Sequence, residues 1–173
     1  MSGRWDITLT SAEFMMAMHV GAIRQTRNAK AGLQHAHGLK DPGWSEHIEG
    51  ACAEAAVAKA FGRWWSPAIK KPDHSGDVGL VEVRHTTHRN GHLLLHKVDA
   101  PERAYVLVIG SAPNLTLAGW TWGYEAQRPD WWGEPRKGNG RPCFMAQKLA
   151  PMESLPLDAF DVARQVPRVH ALR

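Results

Sequence analysis

The stretch Lys71-Pro72-Asp73-His74-Ser75-Gly76-Asp77-Val78-Gly79-Leu80-Val81-Glu82-Val83-Arg84 decides how this chain is read. From Val78 onward apolar residues recur with a period near two, which predicts a strand over 78–87. Alternate side chains of a strand face opposite ways, so Glu82 and Arg84 share one side while Val81, Val83 and His85 share the other. A carboxylate and a guanidinium therefore stand together on an otherwise apolar strand, with Asp77 entering from the preceding turn.

Further strands are expected at 92–98, 104–110 and 115–122, with 64–69 as another. Asn90-Gly91 between the strands 78–87 and 92–98 is a strong hairpin signal for a two-residue turn. That register sets Lys97 across from Arg84 and Asp99 across from Glu82, collecting four charges on one face. Such a face is costly to bury. It is either a solvent-facing side laced by cross-strand ion pairs or a divalent-cation site. Mg²⁺ is held by one or two carboxylates plus water and substrate phosphate, with a nearby cation orienting water or stabilising phosphate charge.

Upstream the period is helical. Thr10 and Glu13 make a capping box ahead of Phe14, Met15, Met16 and Met18, predicting a helix over 10–30. Gly38, Asp41, Pro42 and Gly43 break the pattern, and Ser45 is placed to cap a second helix, 46–61, that stops at Gly62. Glu54 shares a helix face with Gly50, Ala51, Ala58 and Phe61, small and apolar residues suited to pack on a sheet, where an acid is out of place. Glu46 and Glu49 fall on the opposite side with Ala53 and Ala60, facing water and favoured by the helix dipole. Downstream, 125–142 reads as a long loop around Trp131 and Trp132, followed by a strand at 144–149 and a short helix at 157–165.

These elements predict an α/β (α+β) fold with a central mixed β-sheet of about five strands flanked by helices. The 173 residues form one domain: an N-terminal helix over 10–30, a core over about 45–122, and an aromatic loop with C-terminal elements over 123–173. A hydrophobic share of 43% with 22% charged residues excludes disorder, collagen and coiled coil. The longest apolar stretch, 104–120, is interrupted by Ser111, Pro113 and Asn114, so no membrane helix is expected. Arg4, Trp5 and Asp6 stand where a secretory signal would be apolar, and a cytoplasmic protein is expected.

Cys52 and Cys143 allow one disulfide at most and read as small buried residues. The net charge of +4 and the acid-free run 21–40, with Arg24, Arg27 and Lys30, suit contact with a polyanion, as do Lys70 and Lys71; the alternative is a solvated face. His85, His88, His92 and His96 cluster in the hairpin, where the register pairs His85 with His96; with no third ligand in view they read as polar packing rather than zinc. The eight tryptophans are mostly core, one or two being available to stack on unpaired bases. No glycine-rich phosphate loop is present, which argues against an enzyme dependent on a nucleoside triphosphate or NAD.

A helix-borne Glu54, then Asp77 at a strand bend, then Glu82-Val83-Arg84 in the next strand resembles the PD-(D/E)xK nuclease superfamily over 45–122. Segment 50–59 with Gly76-Asp77-Val78, 82–87, Tyr105-Val106-Leu107-Val108 and Gly119-Trp120 is similar to uncharacterised phage or prophage members. The resemblance implies a restriction-endonuclease-like core, Glu54, Asp77 and Glu82 as acidic metal ligands, and the Val83 carbonyl as a further one. Asp73, in a literal Pro-Asp, is the alternative to Asp77. Arg84 stands where the family has lysine; it clamps phosphate but is no base, and Lys97 would supply the ammonium from the neighbouring strand.

The implied activity is a Mg²⁺-dependent (or Mn²⁺-dependent) DNA endonuclease or exonuclease hydrolysing phosphodiester bonds, with Arg24, Arg27, Lys30, Lys70 and Lys71 expected to contact the DNA and a homodimer as the assembly to test. The rival readings are a catalytically silent nucleic-acid-binding module of the same fold and a phage protein-interaction or inhibitor domain.

Overall fold

Thr10 and Glu13 start the first helix as their spacing predicts. The Thr10 N–H donates to Glu13 Oε2 at 2.7 Å and the Glu13 N–H donates to Thr10 Oγ1 at 3.3 Å, satisfying two backbone donors that a helix start leaves open. The structure, a computed structural model, describes residues 3–30, 44–67, 75–135 and 142–161. Helix α1 spans Ser11–Lys30 and α2 spans Trp44–Ala60. Ser45 lies inside the first turn of α2 and does not cap it. Gly62 ends that helix at φ +59, a left-handed conformation that glycine adopts without steric cost.

From Ala51 to Ala58 every residue of α2 is buried. Ala53 is therefore not on a water-facing side: α1 covers the surface of α2 that the sheet does not. The two helices approach closely at Gly21, where an added Cβ would lie 2.5 Å from Ile48 Cα.

The described residues form a mixed α+β structure with two sheets. In the four-stranded sheet β1 (Trp5–Thr8) pairs antiparallel with β5 (Asn114–Trp122), which pairs antiparallel with β4 (Ala104–Ser111). β4 then pairs in parallel with the edge strand β2 (Glu82–Thr86), with Glu82 opposite Tyr105 and Arg84 opposite Leu107. The smaller sheet orders β3 (Leu93–Leu95), β7 (Cys143–Ala146) and β6 (Trp132–Gly133), all antiparallel. A one-turn helix α3, Gly123–Ala126, follows β5.

The Asn90-Gly91 hairpin does not form. A turn is present one residue earlier, the Gly91 N–H donating to the His88 carbonyl at 2.9 Å, but β2 and β3 enter different sheets. Burial explains this. Ala104 to Val108 are all buried, so β4 needs cover on both faces. Val106 and Val108 pack with the helices, while Tyr105 and Leu107 pack with Leu93, Leu95, Phe144 and Ala146. Leu93 and Leu95 reach that second core only by leaving β2. The expected strand at 64–69 is absent over 63–67, its remaining residues lying outside the described ones. The strand at 144–149 appears as β7, and of 157–165 a 3₁₀ turn, Leu157–Phe160, is described. Among the described residues no helix is long and apolar enough to cross a membrane.

Gly21→Leu forces a side chain against the α2 backbone and is expected to lower the free energy of unfolding by about 1–3 kcal/mol. A urea titration with a wild-type midpoint would contradict the close helix contact.

Candidate active site at the sheet edge

A tight turn joins the two acids of the central stretch. The Asp77 and Val78 N–H groups donate to the Val81 carbonyl at 2.9 and 3.1 Å, and the Val81 N–H returns to Val78 at 3.0 Å. Gly79 makes the turn at φ +58, tucked so close to the Phe160 carbonyl that a Cβ would lie 2.3 Å from its oxygen. The antiparallel bridge of Val78 with Val81 leaves Asp77 and Glu82 as the flanking pair. Asp77 Oδ2 accepts the Val83 N–H at 2.8 Å, which holds the carboxylate at the start of β2.

Glu82 is buried, 8% exposed, and is held by Arg103, whose Nη1 also donates to the Ser75 carbonyl at 2.7 Å. Arg84 donates from Nη2 to Asp99 Oδ2 at 3.0 Å and from Nη1 to the Val83 carbonyl at 3.3 Å. Its Nη1 stands 3.6 Å from Glu82 Oε2, and its guanidinium lies over the Tyr105 ring. Burial pulls the Arg84 pKa down, yet Asp99, Glu82 and Asp77 outweigh it and hold the group above its ordinary value. Asp99 also accepts the His96 N–H at 2.9 Å, and Gln127 Nε2 pins that turn through the carbonyls of Asp99 (2.8 Å) and His96 (3.1 Å).

Asp77, Glu82, Arg84 and Asp99 are thus brought together, but not through a hairpin: Asp99 arrives on the His96–Asp99 turn. Lys97, expected across from Arg84, instead places its ammonium over the Trp132 ring, 4.5 Å from the centroid. Arg103 is an added member, and its only sequence signal is a lone arginine just before the apolar run of β4. The expected His85–His96 pair is also absent. His85 turns toward the helices, its Nε2 2.7 Å from the Gly110 carbonyl and 4.0 Å from Glu49.

Glu54 is buried as its helix face requires, but its partners differ from those expected. Arg24 grips both of its oxygens, at 2.7 and 2.9 Å, and Trp65 Nε1 donates at 3.0 Å. The helix that carries Glu54 packs with Val83, whereas Glu82 and Arg84 point to the Tyr105 side of the sheet. Arg24 is therefore a half-buried clamp, its side chain 16% exposed and engaged by Glu54 rather than presented as a surface contact for a polyanion. Burial lowers its pKa, but Glu54 and Asp77 raise it further, leaving it above its ordinary value. Asp77 acts on both Arg24 and Arg84, and so links the two ion clusters. Arg27 and Lys30 are exposed in the last turn of α1, while Lys70, Lys71 and Asp73 lie outside the described residues.

Among the described residues no three His, Cys, Asp or Glu side chains group so as to hold a metal, so a three-carboxylate centre including Glu54 is not formed. The smaller donor set of Asp77, Glu82 and the Val83 carbonyl matches the chemistry of Mg²⁺, a hard cation that takes one or two carboxylates and keeps several waters. Cys52 and Cys143 are buried free thiols. Burial, with Glu49 adding to it, pushes Cys52 up to about 12, and burial also raises Cys143, so neither offers a thiolate. Comparison of the chain with protein-family models, curated proteins and solved structures found no match.

Arg24→Met leaves the Glu54 charge buried without its cation and is expected to cost about 3–5 kcal/mol of stability. Adding Glu54→Gln, which keeps an acceptor for Trp65, removes the stranded charge and is expected to restore most of the loss in thermal unfolding. Equal instability of the single and double variants would refute the clamp.

Proposed function

We propose that this protein is a metal-dependent DNA nuclease of the PD-(D/E)xK type, phage or prophage encoded, that hydrolyses phosphodiester bonds with Mg²⁺. The observation that carries this reading is the pairing of Asp77 with Glu82 across one tight turn, beside Arg84 at a sheet edge.

Asp77, Glu82 and the Val83 carbonyl would hold the ion. Bound there, Mg²⁺ would polarise the phosphodiester and acidify a water enough for attack. Arg84 stays protonated and donates to a non-bridging phosphate oxygen through its planar fork. Asp99 positions Arg84, and Arg103 orients Glu82 while tying the Ser75 carbonyl to it. A second reading, a silent DNA-binding module, is favoured by one observation: Arg103 and Arg84 take up both oxygens of Glu82.

With Mg²⁺ or Mn²⁺ and single-stranded, duplex and branched DNA, Asp77→Asn and Glu82→Gln are each expected to reduce cleavage about 100-fold or more. Asp99→Asn is expected to reduce it about 10–100-fold, as loss of an orienting partner does. Arg84→Lys, which keeps the charge but loses the fork that Asp99 orients, is expected to reduce it about 10-fold or more, and Lys97→Ala to leave it unchanged. DNA binding without cleavage of any substrate by the wild type would establish the silent module instead.

A further inference from the structure

A cleft of about 1010 Å³ runs along the outer edge of β2, the edge that pairs with no described strand. Arg84 and Val83 are among its lining residues, so it reaches the candidate site at its arginine. One wall is the first half of α2, with Glu46 and Glu49. The other is the turn after β2, with His88, Arg89 and His92, and Pro135 and Met145 close the far side. Its two walls therefore differ in charge.

Arg89 is exposed, and its guanidinium makes no hydrogen bond or ion pair among the described residues. Resting on the nuclease reading above, we propose that this cleft is a channel for a single strand of DNA, with Arg89 as its phosphate contact. A duplex presents two phosphate backbones, and the carboxylates of α2 repel one of them. A single strand presents one backbone to Arg89 and turns its base edges toward the α2 wall, where cytosine and adenine amino groups donate to Glu49 beside the oxygen that holds the Ala112 N–H. The volume agrees, since pockets of about 300–1,000 Å³ hold ligands of drug size and a few unpaired nucleotides fall at the upper end.

The test uses the full chain and fluorescence anisotropy at low salt, with a labelled single-stranded oligonucleotide and the matching duplex. Wild type is expected to bind the single strand about tenfold more tightly than the duplex. Arg89→Glu is expected to weaken single-strand binding about tenfold and to lower the salt slope by about one phosphate contact, with Arg89→Lys near wild type. Duplex binding as tight as single-strand binding, or an Arg89→Glu variant with unchanged affinity, overturns the channel, and duplex cleavage by that variant leaves the nuclease reading in place. Failure of the wild type to bind or cut any DNA overturns both.

Discussion

The central strand β4 is buried on both faces, and the rest of the molecule follows from covering it. Five consecutive apolar residues, Ala104 to Val108, need one layer on the Val106 side and another on the Tyr105 side. The helices supply the first layer and the small sheet the second. β2 is left at the edge of the larger sheet, where a strand has one row of backbone groups without a partner. A charged cluster is tolerable there, because a central strand would have buried Glu82 and Arg84 under apolar cover on every side.

The same layering separates two ion clusters that the sequence suggested were one. Helix α2 delivers Glu54 to the Val83 side, where Arg24 and Trp65 complete its hydrogen bonding. Alternation along β2 delivers Glu82 and Arg84 to the opposite side. Asp77 sits on the turn ahead of the strand, and from there its charge reaches both arginines. A carboxylate that a sheet face cannot share is thus balanced within its own layer.

What the sequence revealed was set by interactions close along the chain. The Thr10–Glu13 cap, the stop at Gly62 and the burial of Glu54 all depend on residues within about two helical turns, and all are found. The hairpin at Asn90-Gly91 was misread because local turn preference competes with the burial of Leu93 and Leu95, which depends on a β7 strand some fifty residues away. β1 is only four residues long and pairs with the distant β5, so its pattern is too short to stand out. The hairpin register sets Asp99 across from Glu82; it meets Arg84 instead because Gln127 and the His96 N–H hold its turn. Arg103 stood only as a lone arginine before the apolar run of β4, and what identifies it is the Glu82 carboxylate it meets in space.

Arginine at position 84 suits this cluster in a way lysine does not. One rigid guanidinium reaches Asp99, the Val83 carbonyl and the neighbourhood of Glu82 at once, and its flat face rests on Tyr105. An ammonium on a flexible stem is a point charge without that fork or that stacking surface. The acids around Arg84 also hold its proton more tightly than usual, which removes any role as a base. On the proposed nuclease reading, a site built this way would offer a phosphate fixed positive charge and give up proton transfer by its cation. Water activation would then fall to the carboxylates at Asp77 and Glu82 and to what they bind.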